Sequence, residues 1–473
     1  MKLSRMDIKE KFARAGQHDY FLRTVFAAVL VLRFFFPFFY NPYNSRYGQM
    51  QQNLDNGAHL LNPAFASAAT PKGFEVWTFL LQLFPSYEMR AFTAFFTGLL
   101  CIGMAWFWYK ALREITTRRK ALIIATVTGL HPSLLALYAF YMTETLSLVL
   151  ITLAAWTTLR SVRKRTLTAY AAAAACWICA VLTQPSALLL LVPGLGYALL
   201  TQPRRGRALA LTLVIALALG LPAGLQGMQG LGFFAPLGAT DLNHIGRISE
   251  RVSYGVNVRE ADGRSYNTWW APASFYTNLL DPFADYISTR SNNRFMTDID
   301  TAKGRADWDS AMLRARQSRT TNDLLRDYRE NLLFLTLGYS WPDTEPPVFT
   351  SFPPVPMFRA TSTEAHAPMS LIHFGYQLRW LWPPCFILLL FYAPFARLEP
   401  AKMWIVLTVF FASVMFLLQD LGVVEGHSRK LLEPFLITSV FFLIESWQRV
   451  SDEGVSLRGF LTQLWRRKDG QAA

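Results

Sequence analysis

Glu144 is the acidic residue of this sequence that is best placed to move a proton. It begins a long apolar segment, between Thr143 and Thr145. A carboxylate at membrane depth is costly to bury, so such residues are candidates for function by default. Glu144 could act as a general base toward a hydroxyl nucleophile. The alternative is a helix start, where Thr143 caps the helix and Glu144 lies at the positive end of its dipole.

A polar, turn-rich segment, residues 41–63, supplies a second candidate base. Asp55 is its earliest acidic residue and stands beside Asn56-Gly57. It could take a proton from a hydroxyl, or it could simply be a turn residue. Arg46 and Tyr47 in the same segment are candidates for binding a substrate that carries phosphate, because arginine forms charge-assisted pairs with phosphate oxygens.

Basic residues also precede the last apolar segment. His427, Arg429 and Lys430 lie in a short connection that the topology below places outside. The positive-inside rule does not predict basic residues there. They are therefore candidates for binding phosphate through an arginine fork. The alternative is that they snorkel at the end of a membrane span.

The composition indicates a membrane protein that must hold these residues in place. The chain is 52% hydrophobic and 16% charged, against about 25% charged for soluble domains. Several apolar runs approach 20 residues, enough to cross about 30 Å of hydrocarbon. The net charge of +14 is explained by basic cytoplasmic loops. The predicted partners are therefore membrane lipids, and no nucleic-acid partner is predicted. The four cysteines lie in apolar segments and predict no disulfide or zinc site.

These patterns predict an all-α polytopic membrane protein with about ten transmembrane helices and both termini in the cytoplasm. Phe74–Phe84 is too short to cross and is predicted to lie in the interface. We divide the chain into an N-terminal module of seven spans that includes the first outer loop, a large outer region, three further spans and a cytoplasmic tail: 1–225 with loop 41–89, 226–375, 376–447 and 448–473.

The large region is predicted to lie outside because its charges are balanced. Residues 226–373 contain 14 Lys and Arg against 16 Asp and Glu, a net charge of −2. The positive excess therefore belongs to the short loops. The aromatic residues of Asn267–Trp270 and Phe275-Tyr276 could stack on sugar faces or anchor the region at the membrane surface.

Three outer corners resemble those of the GT-C glycosyltransferases. His131–Glu144 with the following apolar run resembles the turn between their third and fourth spans. Leu182–Leu188 is similar to their "L-T-R-P-x-A-L" corner, with Gln184 at the place of the arginine. Gly426–Pro434 resembles their late "R-Y-x-x-P" corner, and Leu324–Phe334 their outer helix before a span.

The resemblance implies an enzyme of the bacterial inner membrane with a GT-C-like fold. It would transfer a sugar from a polyprenyl-phosphate donor to a lipid-linked or envelope glycan acceptor on the periplasmic face. Gln184 would then bind substrate together with Arg46, Tyr47 and the basic residues near Lys430. No cofactor is predicted; a divalent metal stays open as an alternative, although no residue pattern indicates one.

The family's usual Asp after the first span is missing, since the aligned residues are Asn44–Tyr47. Either Asp55 has taken its role, or this is a divergent branch with another donor, or the chain is not a transferase. One rival is an O-antigen-type polymerase or ligase, which would use Arg247, Arg251, His366 or His373. Another is a non-enzymatic transport or assembly protein for lipid-linked glycans, which would need charged residues along its spans.

Overall fold

We describe the fold from a computed structural model. It describes residues 5–39, 72–84, 90–139, 143–231, 253–259, 265–270, 294–298, 332, 382–393, 396, 398–418 and 427–452. Statements about contacts, and about what is absent, refer to these ranges.

The N-terminal part is a succession of helices. In chain order these are α1 (Arg5–Phe39), α2 (Lys72–Gln82), α3 (Arg90–Ile115), α4 (Arg118–Leu130), α5 (Pro132–Ala136), a 3₁₀ turn (Leu137–Ala139), α6 (Thr143–Lys164), α7 (Leu167–Thr183), a second 3₁₀ turn (Pro185–Ala187), α8 (Leu188–Thr201) and α9 (Arg205–Leu231). Helix α6 lies at the centre and packs against α3, α7, α8 and α12, the last of which is defined below.

The rest of the described chain comprises a small sheet and three helices. The strands are β1 (Ser253–Arg259), β2 (Ser265–Trp270) and β3 (Arg294–Asp298), and the helices are α10 (Trp382–Tyr392), α11 (Pro400–Leu418) and α12 (His427–Asp452). Strand β1 is central, antiparallel to β2 and parallel to β3. This sheet is an element that the all-α prediction did not include.

Four of the described helices are long and apolar enough to cross a membrane: Asp19–Phe38, Ala91–Ile115, Thr143–Lys164 and Arg205–Leu225. Four shorter apolar helices are Leu167–Thr183, Pro185–Thr201, Pro383–Tyr392 and Pro400–Met415. A membrane-embedded helical protein is therefore confirmed in outline, and the figure of about ten spans stays a prediction. The predicted third span is not one continuous helix, because α4 ends before His131 and Pro132 begins α5. Proline disfavours helical backbone in the residue before it.

Small residues and polar side chains join the helices, as expected for packing in a bilayer. Gly194 of α8 lies directly against the Trp177 indole of α7, with no space for a Cβ. Trp177 Nε1 in turn donates to Thr158 Oγ1 of α6 at 3.0 Å. Trp108 Nε1 of α3 donates to Thr438 Oγ1 of α12 at 3.2 Å. The Trp177 bond joins consecutive helices, whereas the Trp108 bond joins residues that are 330 positions apart.

The helix ends gather at two opposite ends of the bundle. At one end, Glu445 Oε1 lies 3.0 Å from Lys120 Nζ and 3.5 Å from Lys402 Nζ. Arg163 pairs with Glu114 at 3.1 Å where α6 and α3 end. We call this the Glu445 end. The basic loops that were predicted to be cytoplasmic adjoin it. The opposite end, where α6 begins and α7 finishes, is the Glu144 end.

Candidate functional site

Glu144 lies in the first turn of α6 with only 2% of its surface exposed. The Thr143 hydroxyl donates to its Oε2 at 2.9 Å, and Gln184 Nε2 donates to its Oε1 at 3.2 Å. A third contact of 3.0 Å joins Thr143 Oγ1 to Gln184 Oε1. The three side chains form a closed ring between the start of α6 and the end of α7. Glu144 and Gln184, both predicted site residues, are thus brought together.

This ring offers hydrogen bonds to either protonation state of Glu144 without movement of a heavy atom. When Glu144 is ionised, its two oxygens accept from Thr143 and Gln184. When it carries a proton, it donates to Thr143 Oγ1, whose own proton then bonds Gln184 Oε1. A group whose partners are already in place needs no reorganisation when its charge changes. The helix-dipole alternative explains where Glu144 lies, but not why Gln184 binds it.

Gln184 is held by the turn between α7 and the second 3₁₀ turn. It has extended backbone angles, φ −145° and ψ 107°, and its N–H donates to Ala180 O at 2.8 Å. Pro185 follows it, and a residue before proline favours such a conformation. The sequence Thr183-Gln184-Pro185 therefore stops α7 and presents the amide where Glu144 lies.

A buried ion pair on α2 adjoins this corner. Lys72 Nζ lies 2.7 Å from Glu75 Oε2, and their side chains are 2% and 0% exposed. A Cβ added to Gly73 would lie 2.8 Å from the backbone of Leu182 and Thr183, so α2 rests on the end of α7. Burial raises the pKa of Glu75 to about 7, although the charge of Lys72 acts to lower it. Neither residue of this pair is among the residues that the sequence patterns predict for the site.

The first turns of α12 also reach the Glu144 end. Lys430 and Glu433 are both fully buried, and Glu433 Oε2 lies 3.5 Å from His131 Nδ1 at the break between α4 and α5. Helix α12 packs against α5 and the turn that follows Gln184. Lys430, a predicted site residue, is therefore enclosed by protein at this end. Such enclosure does not fit the snorkelling alternative, in which the ammonium would reach water.

Arg33 is a buried cation that sequence analysis missed. It lies in the candidate span Asp19–Phe38 and is fully buried. Its Nε donates to Cys101 O at 2.8 Å, and its Nη1 donates to Gly129 O at 2.6 Å. Its guanidinium lies 5.2 Å from the centre of the Tyr138 ring. A lone arginine within VLVLRFFF is the pattern that could have drawn attention to it.

Arg33 is linked to the Glu144 corner through Tyr138. The Tyr138 hydroxyl donates to the carbonyl of Thr145, the residue after Glu144, at 3.2 Å. Arg33 also binds the C-terminal end of α4 through Gly129 O, where a helix has carbonyls without partners of its own. Arg33 thus supports the segment that carries His131 and Tyr138. We regard it as a positioning residue.

Several predicted residues lie outside the described ranges. These are Asp55, Arg46 and Tyr47 of the predicted first outer loop, and the residues of the polymerase or ligase alternative, Arg247, Arg251, His366 and His373. The backbone of His427 and Arg429 begins α12, but their side chains are outside the description. Among the described residues, no three His, Cys, Asp or Glu side chains are grouped so that they could hold a metal ion.

Comparison with known proteins assigns no family to this chain. Its sequence matches no protein-family model, and no curated protein matches it. The resemblance to GT-C enzymes therefore depends on the corner motifs.

Proposed function

We propose that this chain is an integral membrane glycosyltransferase with a GT-C-like arrangement of helices. It would move a sugar from a polyprenyl-phosphate donor to a lipid-linked or envelope glycan acceptor, on the outer face of a bacterial inner membrane. The observation that carries the proposal is the bond between Glu144 and Gln184. It joins two of the corners whose sequences resemble those of GT-C enzymes.

In the reaction, a hydroxyl oxygen of the acceptor attacks the anomeric carbon of the donor sugar. The bond from that carbon to the phosphate oxygen breaks, and polyprenyl phosphate leaves with the electron pair. Glu144 takes the proton of the hydroxyl. General-base catalysis of this kind typically contributes about 10²–10⁴-fold to the rate. The ring with Thr143 and Gln184 then stabilises the protonated carboxyl.

Negative charge that develops on the leaving phosphate needs cations nearby. Lys430 is fully buried in the first turns of α12, which pack beside the turn after Gln184. A buried ammonium interacts with phosphate more strongly than it would at the surface, because the surrounding dielectric constant is lower. This supports a role for Lys430 as a phosphate ligand, with Arg429 as its predicted neighbour.

The proposal is tested by transfer in proteoliposomes that contain the purified chain. The donors are a panel of polyprenyl-phosphate monosaccharides, and the acceptors are a lipid extract of the envelope. We expect transfer by the wild type and a loss of about 10²–10⁴-fold in Glu144→Gln. Glu114→Gln is the matched control, since it makes the same chemical change at the Glu445 end. The side chains of Glu114 and its partner Arg163 are 18% and 75% exposed, and a pair that reaches solvent through its arginine contributes about 1 kcal/mol or less.

Two results would contradict the proposal. A chain that transfers only whole oligosaccharides from polyprenyl pyrophosphate is a polymerase or ligase instead. Full activity in Glu144→Gln, with Glu114→Gln also active, would remove Glu144 from the mechanism.

A further inference from the structure

Helix α2 buries an ion pair beside the apolar residues Phe74 and Leu81, and it exposes other apolar residues. Its ion pair Lys72–Glu75 faces the protein, with 2% and 0% of the side chains exposed. Val76 and Leu80, in contrast, are 44% and 46% exposed. Apolar side chains on the outer side suit a helix in the membrane interface. Membrane attachment alone does not explain why two charges are buried on the inner side, because removing charges from water is costly.

The two oxygens of Glu75 differ in their surroundings. Oε2 accepts a hydrogen bond from Lys72 Nζ at 2.7 Å. Oε1 is buried and has no hydrogen-bond partner in the described part of the chain. A buried carboxylate oxygen without a partner loses its hydrogen bonds to water and gains none in their place. Lys72 fixes the carboxylate, and Oε1 keeps its capacity to accept a hydrogen bond from a group that enters this corner.

Helix α2 is fixed against both α7 and α3. Gly73 sits on the backbone of Leu182 and Thr183, where a Cβ would be 2.8 Å away. The Trp77 ring packs edge-on against Phe96 of α3 with ring centres 6.1 Å apart. Thr183 directly precedes Gln184, the residue that binds Glu144. Glu75, two residues after Gly73, therefore lies on the helix that rests against the turn carrying Gln184.

We infer that Glu75 Oε1 is a binding site for a hydroxyl group of the saccharide on which this chain acts. The inference depends on the proposed function, because it takes the substrate at the Glu144 corner to be a sugar. Lys72 would be the positioning residue that orients the carboxylate. Glu75 would select saccharides that have a hydroxyl at the matching position, while Glu144 handles the proton of the nucleophile.

Binding of a hydroxyl group to Glu75 should depend on whether its carboxyl group is ionised. Burial raises the pKa of Glu75 to about 7, and Lys72 opposes this rise. The end of α7 that faces α2 presents the uncharged residues Leu182 and Thr183. Glu144 lies beyond Gln184. Above pH 7 the ionised carboxylate accepts a strong hydrogen bond from a hydroxyl, whereas below pH 7 this interaction weakens.

The first experiment needs no activity and measures the wild type. Infrared difference spectra of the wild type in nanodiscs follow the carboxyl band of Glu75 as the pH is changed. Each member of the polyprenyl-phosphate monosaccharide panel is then added. We expect the matching sugar to bind the ionised form of Glu75 roughly tenfold more tightly than the protonated form. The apparent pKa of Glu75 should then fall by about one pH unit. Glu75→Gln identifies the band, and Glu114→Gln should leave it unchanged.

The second experiment uses the transfer assay. KM for the saccharide should rise as the pH falls below about 7, because Glu75 then becomes protonated. In Lys72→Met the pKa of Glu75 should rise, because a charge that lowered it is gone. The pH at which KM begins to increase should then move upward. A purely structural role for the pair would lower activity without moving that pH.

The two proposals fail in different ways. If a sugar lipid lowers the apparent pKa of Glu75 but no transfer occurs, the inferred site stands and the proposed function fails. If transfer occurs but neither the band nor the pH dependence of KM responds, the inference is overturned. If no member of the panel changes the band, the inference is likewise overturned.

Discussion

Gln184 Nε2 donates a hydrogen bond of 3.2 Å to Glu144 Oε1, and this contact joins the end of α7 to the start of α6. The two residues are 40 positions apart in the chain. Because Thr143 closes the ring between them, the carboxylate is held from two sides. The effect of a substitution on activity depends on how much Thr143 and Gln184 each contribute to holding the Glu144 carboxylate in place.

Replacing Gln184 by leucine should weaken the proposed catalysis and leave the fold intact. The variant removes one donor to a buried carboxylate, and a hydrogen bond to a charged group contributes about 1.5–3 kcal/mol. We therefore expect kcat/KM for sugar transfer to fall by roughly 10- to 100-fold. Gln202→Leu is the control, since Gln202 binds Ser161 at 3.1 Å near the Glu445 end. Equal losses in both variants would indicate a general effect on packing.

Part of this arrangement could be predicted from sequence because it follows local rules. Glu144 was recognised as an acidic residue at a span end, and the proline after Gln184 marked a corner. What the sequence could not provide was the contact between them, since that contact depends on how α6 and α7 pack. The ion pair Lys72–Glu75 was missed for a related reason. A charged pair at i and i+3 is ordinary on a solvated helix, and only burial makes it unusual.

Gly194→Ala should destabilise the bundle, whereas Gly196→Ala in the same helix should not. A Cβ at Gly194 would collide with the Trp177 indole, while nothing lies within 4 Å of a Cβ at Gly196. Overpacking of a core typically costs about 1–3 kcal/mol. In the helix interior, replacing glycine by alanine otherwise gains about 0.5–1 kcal/mol. Thermal unfolding in detergent should place the two variants on opposite sides of the wild type.

Arg33→Lys should destabilise the protein although it keeps the positive charge. A lysine cannot reproduce the two bonds from Arg33 to Cys101 O and Gly129 O, because its ammonium lacks the planar fork. The buried carbonyl of Gly129, in the last turn of α4, would lose its partner, which costs about 1–3 kcal/mol. Arg23→Lys is the control on the same helix, where the side chain is 46% exposed and pairs with Asp19. A midpoint of unfolding that falls equally in both variants would contradict the assignment.

The pair Lys72–Glu75 should make stability depend on pH in a defined direction. The pKa of Glu75 is raised from 4.5 to about 7 in the folded chain. The folded state therefore binds more protons than the unfolded state between those values, and its stability decreases as the pH rises through this window. The double variant Lys72→Met/Glu75→Gln lacks this pH-dependent contribution to stability.

As the pH rises from 5 to 8, the free energy of unfolding of the double variant should increase by about 2–3 kcal/mol relative to that of the wild type. Denaturant titrations at the two pH values measure the difference. The wild type and Glu114→Gln should show the same pH dependence. A constant difference between the double variant and the wild type would mean that Glu75 does not titrate in this range.

The two ends of the bundle should be reached from opposite sides of the membrane. Phe84, 49% exposed, follows α2 at the Glu144 end, and the Arg163 side chain, 75% exposed, lies at the Glu445 end. In a background where the native cysteines are replaced, Phe84→Cys should react with an impermeant maleimide applied to whole cells. Arg163→Cys should react only after the membrane is opened, because basic loops stay in the cytoplasm. Labelling of both from the same side would separate Glu144 from the outer face, and a donor that carries its sugar on a lipid would then have no site there.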